Sequence, residues 1–128
     1  MQPEPEPDTT IDITPNTVLP VIATLMGADA GVKVSMLVER VTGEETTKPA
    51  ERLMRHVITE LRMLGHPVCA RPSEGYLWGT TRDEIENTAR HLARRSLTGL
   101  TQASKMTGRP IQELARQLAL ELEEAHYE

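Results

Sequence analysis

Aromatic side chains are nearly missing from this 128-residue sequence: they make up 2% of it, as Tyr76, Trp78 and Tyr127, and phenylalanine is absent. The core must therefore be aliphatic, built from Leu, Val, Ile, Met and Ala, which favours helices over a sandwich or barrel. A single cysteine, Cys69, excludes an internal disulfide and a Cys-rich zinc site, and reads as a small apolar filler. No apolar run approaches the ~18 residues of a membrane span, and no basic-then-apolar leader opens the chain, so a cytoplasmic protein with no membrane partner is expected. Catalytic signatures are equally scarce. His56, His66, His91 and His126 stand singly, without HxxxH or HExxH spacing to gather a metal. Neither a GxxxxGKS/T nor a GxGxxG loop is present to cradle a nucleotide. Glu84 and Glu86 lie two apart, so on a helix they point apart. The expectation is a binding protein, not an enzyme, with no metal and no cofactor.

Positive charge is scarce overall but not locally. The net charge is −5. Between Lys48 and Lys105, however, ten Lys or Arg face six acids, a net of +4, whereas residues 1–47 carry −6 and residues 106–128 carry −3. A basic centre between acidic ends fits a phosphate-binding face, because binding follows the local field. It fits an ordinary solvated helix surface equally well.

The stretch from Pro49 to Gly79 is the most informative. Leu53, Met54, Val57, Ile58, Leu61 and Leu64 fall at the spacing that lines one face of a helix over 49–64. Gly65 stops that helix and Pro67 prevents its resumption. Val68–Arg71 and Tyr76–Trp78 are extended segments around the turn Pro72-Ser73-Glu74-Gly75. Tyr76 and Trp78 point to one face of the ribbon and Leu77 to the other. Helix, stop, hairpin is the order of the second half of a winged helix-turn-helix domain, in which the helix enters the major groove and the wing touches the flanking backbone or minor groove.

Before that stretch, residues 1–15 have the composition of a disordered acidic tail. A first helix is expected to about Ala28, capped by Asn16 or Thr17, with Pro20 early in it, and a second from Met36 to Val41, capped by Ser35 and ended by Gly43. After the wing, Thr81 and Glu84 match a capping box opening a helix toward Thr107. Gly108 and Pro110 break it, and a last helix runs to Ala125 with Ile111, Leu114, Leu118 and Leu122 on one face. The expected fold is thus mainly α with a small β-hairpin: a winged helix-turn-helix domain over 16–81 and C-terminal helices over 82–128. Those helices serve either packing onto the domain or dimerisation through Ile111, Leu114, Leu118 and Leu122.

Arg52, Arg55, His56, Thr59 and Arg62 sit away from the apolar stripe of the 49–64 helix. Arginine donates a bidentate pair to guanine or clamps a phosphate. Glu51, Arg52, Arg55 and His56 in the first turns are the candidates for base edges, and Arg62 for a phosphate contact or salt bridge. In the wing, Arg71 and Tyr76 are the candidate backbone contacts. Lys48 and Ser73 complete the set. Trp78 is expected to pack the ribbon against the helices.

The segment Arg55–Val68 followed by Glu74-Gly75-Tyr76-Leu77-Trp78 resembles the winged helix-turn-helix domain of the biotin operon repressor type. It is more similar still to small phage and prophage DNA-binding proteins in which a Gly-Tyr wing precedes a helix with an acidic start. The resemblance spans roughly Val18–Ala93 and is carried by residues 55–78. It implies that the 49–64 helix is a recognition helix, that Arg71–Tyr76 form the wing, and that no enzyme activity comes with the fold. One departure is the turn Gly43–Lys48, which is longer than a tight 3–4-residue turn. The resemblance implies double-stranded DNA as partner, the surplus C-terminal helices suggest a second copy of the chain, and the adaptor alternative calls for a replication or transcription protein. Implied functions are phage transcription regulation or replication accessory work. A protein adaptor on the same scaffold that does not touch DNA is the alternative, favoured by the net negative charge.

Overall fold

The computed structural model describes residues 12–27 and 31–127. Its elements run α1 (Pro15–Ile22), α2 (Val34–Thr42), α3 (Lys48–Met63), β1 (Val68–Arg71), β2 (Gly75–Trp78), α4 (Arg82–Thr107) and α5 (Ile111–Tyr127). The chain is mainly helical with a two-stranded antiparallel hairpin. It divides into two compact units, Met1–Thr88 and Ala89–Glu128, the division falling within α4. No helix among the described residues is long and apolar enough to cross a membrane. Of the expected acidic tail, residues 1–11 lie outside the described residues, as does Ala28.

In the first unit, α1 is shorter than its apolar pattern predicts. Thr14, not Asn16 or Thr17, caps it, and the Thr14 and Thr17 side chains each bond the other's backbone N–H in a reciprocal box. The helix ends at Ile22, two residues past Pro20, and the Thr24 hydroxyl donates to the Val21 carbonyl. Leu25 then leaves the helical pattern, because its carbonyl accepts from the Trp78 N–H at 2.7 Å. Val32 continues along the same edge. Its N–H donates to Tyr76 O at 2.9 Å and its carbonyl accepts from Tyr76 N–H at 2.8 Å. A long-range backbone pairing thus outcompetes helix propagation.

Helix α2 begins at Val34, not Met36, and Ser35 lies inside it. Lys33 occupies the N-cap with no side-chain cap, and Gly43 closes the helix at φ +75°. Helix α3 fits its expected limits within one residue: Thr47 caps it through Ala50 N–H, Pro49 sits in the first turn, and Gly65 follows the C-cap at φ +93°. The five residues between α2 and α3 are therefore taken up by a left-handed C-cap at one end and an N-cap at the other.

The core is aliphatic, as the lack of aromatics demands. Val18, Ile22, Leu37, Val38, Val41, Met54, Val57, Ile58, Leu61 and Val68 are buried together, with Tyr76 and Trp78 packed against them. Two residues of the expected α3 stripe are not buried: Leu53 is 45% and Leu64 70% exposed. They lie at the edges of the stripe, Leu53 facing an open hollow beside Val38 and Thr42.

Register pairs Val68 with Trp78, Cys69 with Leu77, Ala70 with Tyr76 and Arg71 with Gly75. Tyr76 and Trp78 lie against the helices, and Trp78 stacks obliquely near His66 with ring centroids 6.0 Å apart. Leu77 and Cys69 are buried on the other face, where Gly79 leaves room for Cys69 Sγ and Ile85. The first turns of α4 cover that side. Ala70 N–H donates to Thr88 Oγ1 at 3.1 Å, so the outer edge of β1 is capped by a buried hydroxyl while Val32 caps the edge of β2. Thr81 and Glu84 form the expected capping box at the start of α4.

In the second unit, Gly108 (φ +75°) follows the end of α4 at Thr107, and α5 comes after a short link from which Arg109 pairs with Glu113 at 2.8 Å. The two helices do not pack against one another along their lengths.

Candidate functional site

Burial decides which face of α3 is available. With Met54, Val57, Ile58 and Leu61 turned into the core, Lys48, Arg52, Arg55, His56 and Thr59 are all exposed. Local acids accompany them. Arg55 lies 3.9 Å from Glu51, and His56 Nε2 lies 3.1 Å from Glu60, both four residues along the helix. An exposed ion pair such as Arg55–Glu51 is worth under about 1 kcal/mol, so a stronger anion can draw Arg55 away. Glu51 is largely covered and also accepts from the Thr46 hydroxyl at 3.0 Å, which turns it away from the base-edge role expected of it. Thr59 bonds its hydroxyl to the Arg55 carbonyl within the helix.

Arg62 does something the helix pattern does not disclose. Its Nε donates to the Val68 carbonyl at 2.8 Å and its guanidinium carbon lies 5.9 Å from the Tyr76 ring centroid. Burial pushes its pKa below the ordinary arginine value. The residue fastens α3 to the hairpin, and no ion pair is formed by it among the described residues. Arg62→Ala is expected to cost about 1.5–3 kcal/mol of stability, the range for a hydrogen bond from a charged donor, as read from urea denaturation. The more conservative Arg62→Lys should recover only part of it, since a single ammonium cannot both reach Val68 and lie over Tyr76.

The hairpin turn carries the second group. Glu74 N–H donates to the Arg71 carbonyl at 3.1 Å, and Ser73 is exposed at the tip. Arg71 pairs with Glu74 at 3.2 Å and with Glu84 at 2.8 Å. The hydrogen bond that Arg71 donates to Glu74 raises its pKa, desolvation opposes that, and the bond to Glu84 adds to the rise. Glu84 is held below its ordinary value chiefly by the Thr80 backbone N–H, then by the Thr80 hydroxyl and Arg71. Arg71 is thereby fixed in direction, between the turn and the start of α4.

An open groove of about 560 Å³ runs between the start of α2, the first turns of α3 and the hairpin. From the expected set it brings together Arg55, Arg71, Ser73 and Tyr76. Lys48, Arg52, His56 and Thr59 remain on α3 outside the lining. Lys33 and Ser35 join the groove unforeseen, because Ser35 reads as a helix cap in the sequence. Its lining holds three cations, two hydroxyls, a phenol and Glu51, with Arg55 paired to Glu51 and Arg71 to Glu74 and Glu84 at the rim. Among the described residues no three His, Cys, Asp or Glu side chains gather into a metal-binding group. The chain matches no family model, no curated protein and no solved structure.

Of the residues expected at a dimer interface, Ile111 and Leu114 are half-buried on α5 and Leu118 and Leu122 are exposed.

Proposed function

We propose that the protein binds double-stranded DNA as a winged helix-turn-helix, with α3 as the recognition helix and the Arg71–Gly75 turn as a short wing. One observation carries the reading. The burial that hides Met54, Val57, Ile58 and Leu61 leaves Arg52, Arg55, His56 and Thr59 exposed and sets Arg55 in one groove with Lys33, Arg71, Ser73 and Tyr76. The order of elements agrees with it, and Val32, paired to Tyr76 ahead of α2, ties the hairpin to the helices. Arg52 and Arg55 then read base edges, while Lys48, Arg71 and Ser73 hold the sugar-phosphate backbone. Resemblance to small phage and prophage proteins extends this to a transcription regulator or replication accessory.

Arg55→Ala tests the assignment. Against a duplex selected for tight binding, the substitution is expected to weaken affinity by about 1–3 kcal/mol and to relax selection at one base position. Equal affinity of variant and wild type for both selected and random duplex removes α3 as the recognition element. A second reading, a protein adaptor on this scaffold, is favoured by the acids that sit beside the cations: Glu51 at Arg55, Glu60 at His56, and Glu74 and Glu84 at Arg71. The two readings separate on whether duplex binding exists and falls with salt.

A further inference from the structure

We infer that residues 89–127 pair with the same segment of a second copy of this chain, α4 of each protomer lying against α5 of the other. None of residues 89–125 is fully buried, and α4 and α5 do not pack along their lengths, Leu100, Ala103, Ile111 and Leu114 being half-covered near the link between them. Helical units below roughly 40 residues seldom stand without an oligomeric partner, and helices in water take most of their stability from burying an apolar face. Both helices carry such a face: Leu92, Leu100 and Ala103 fall on one side of α4, and Ile111, Leu118 and Leu122 on one side of α5.

Charge selects the partner. From residue 89 to its end α4 carries Arg90, Arg94, Arg95 and Lys105 and no acid, whereas α5 carries Glu113, Glu121, Glu123 and Glu124 against Arg116 alone. Arg95 flanks the α4 stripe and Glu121 that of α5, with Arg90 and Glu123 further round their helices. Pairing α4 with α4, or α5 with α5, sets like charges along the seam. Pairing α4 with the partner's α5 sets opposite charges there, and a two-fold axis makes the contact twice. Each chain therefore holds both halves of a self-complementary interface.

Sedimentation of the full chain tests this. The wild type is expected at twice the 14.2 kDa chain mass. Arg90→Glu with Arg95→Glu, and separately Glu121→Lys with Glu123→Lys, should each weaken association by roughly tenfold or more, since several exposed pairs turn from attraction to repulsion at once. These side chains are exposed, so folding of the first unit should persist, as reported by Trp78 fluorescence. An equimolar mixture of the two double variants should recover the dimer, because each then offers what the other lacks. A wild type that stays monomeric up to about 100 μM, an affinity ceiling too weak for a specific dimer, overturns the inference. So does dimerisation of either double variant at wild-type strength, or a mixture that fails to recover.

Discussion

Gly75→Val is expected to unfold the hairpin and to take much of the first unit's stability with it. Gly75 opens β2 at φ +101°, a conformation L residues rarely adopt, and no non-glycine among the described residues has a positive φ. The space is closed as well. A Cβ at Gly75 would run into the Val32 carbonyl and stand 2.7 Å from Lys33 N. Both obstacles are backbone, so no rotamer change relieves them. Left-handed strain in a β-branched residue and overpacking each cost about 1–3 kcal/mol, a sum of roughly 2–6 kcal/mol, against a total stability of roughly 5–15 kcal/mol for a domain. The Val32–Tyr76 bridge and the Arg71 turn should go together, since Gly75 lies between them. Urea denaturation followed by Trp78 fluorescence checks it. A midpoint like that of the wild type would mean that Val32 does not lie against β2.

Met54→Ala and Leu53→Ala should differ sharply although the residues are neighbours in one helix. Met54 is fully buried beneath α3, whereas Leu53 is 45% exposed. Truncating a buried methionine removes its transfer free energy and leaves a cavity, about 2–5 kcal/mol. Truncating Leu53 should cost under about 1 kcal/mol. Because Met54 anchors the turn that carries Arg52 and Arg55, its loss should also loosen the exposed face of α3. Thermal denaturation of both variants gives the comparison. Equal costs would contradict the rotation of α3 on which the proposed interface depends.

Residues that signal an element through local chemistry were legible in the sequence. Pro49 at the start of α3, Gly65 at its end, and the Thr81–Glu84 box at the start of α4 act over a few residues, so spacing alone places them, whereas the Thr47 cap was hidden in a segment that reads as a turn. The apolar stripe of α3 was legible at its centre and misled at its edges. Leu53 and Leu64 share the period of the buried residues, but only neighbouring helices decide how wide a stripe they cover. Long-range pairing left no such trace. Nothing local marks Leu25 and Val32 as partners of Trp78 and Tyr76, so the expected α1 ran too far. Arg62 and Glu51 read as surface charges, and their roles depend on Val68 and Thr46, set by the tertiary fold and the α2–α3 turn. Lys33 and Ser35 entered the groove because α2 begins two residues earlier than its apolar pattern suggests.

Fluorescence anisotropy of a mixed-sequence duplex, titrated with the full chain at about 50 and 200 mM salt, tests the proposed function most directly. Contacts from Lys48 and Arg71 to phosphates, in the field of the neighbouring Arg52 and Arg55, release counterions, so binding should be measurable at the lower salt and fall at the higher. No binding at low salt would contradict DNA recognition by α3 and leave the acid-paired face to a protein partner.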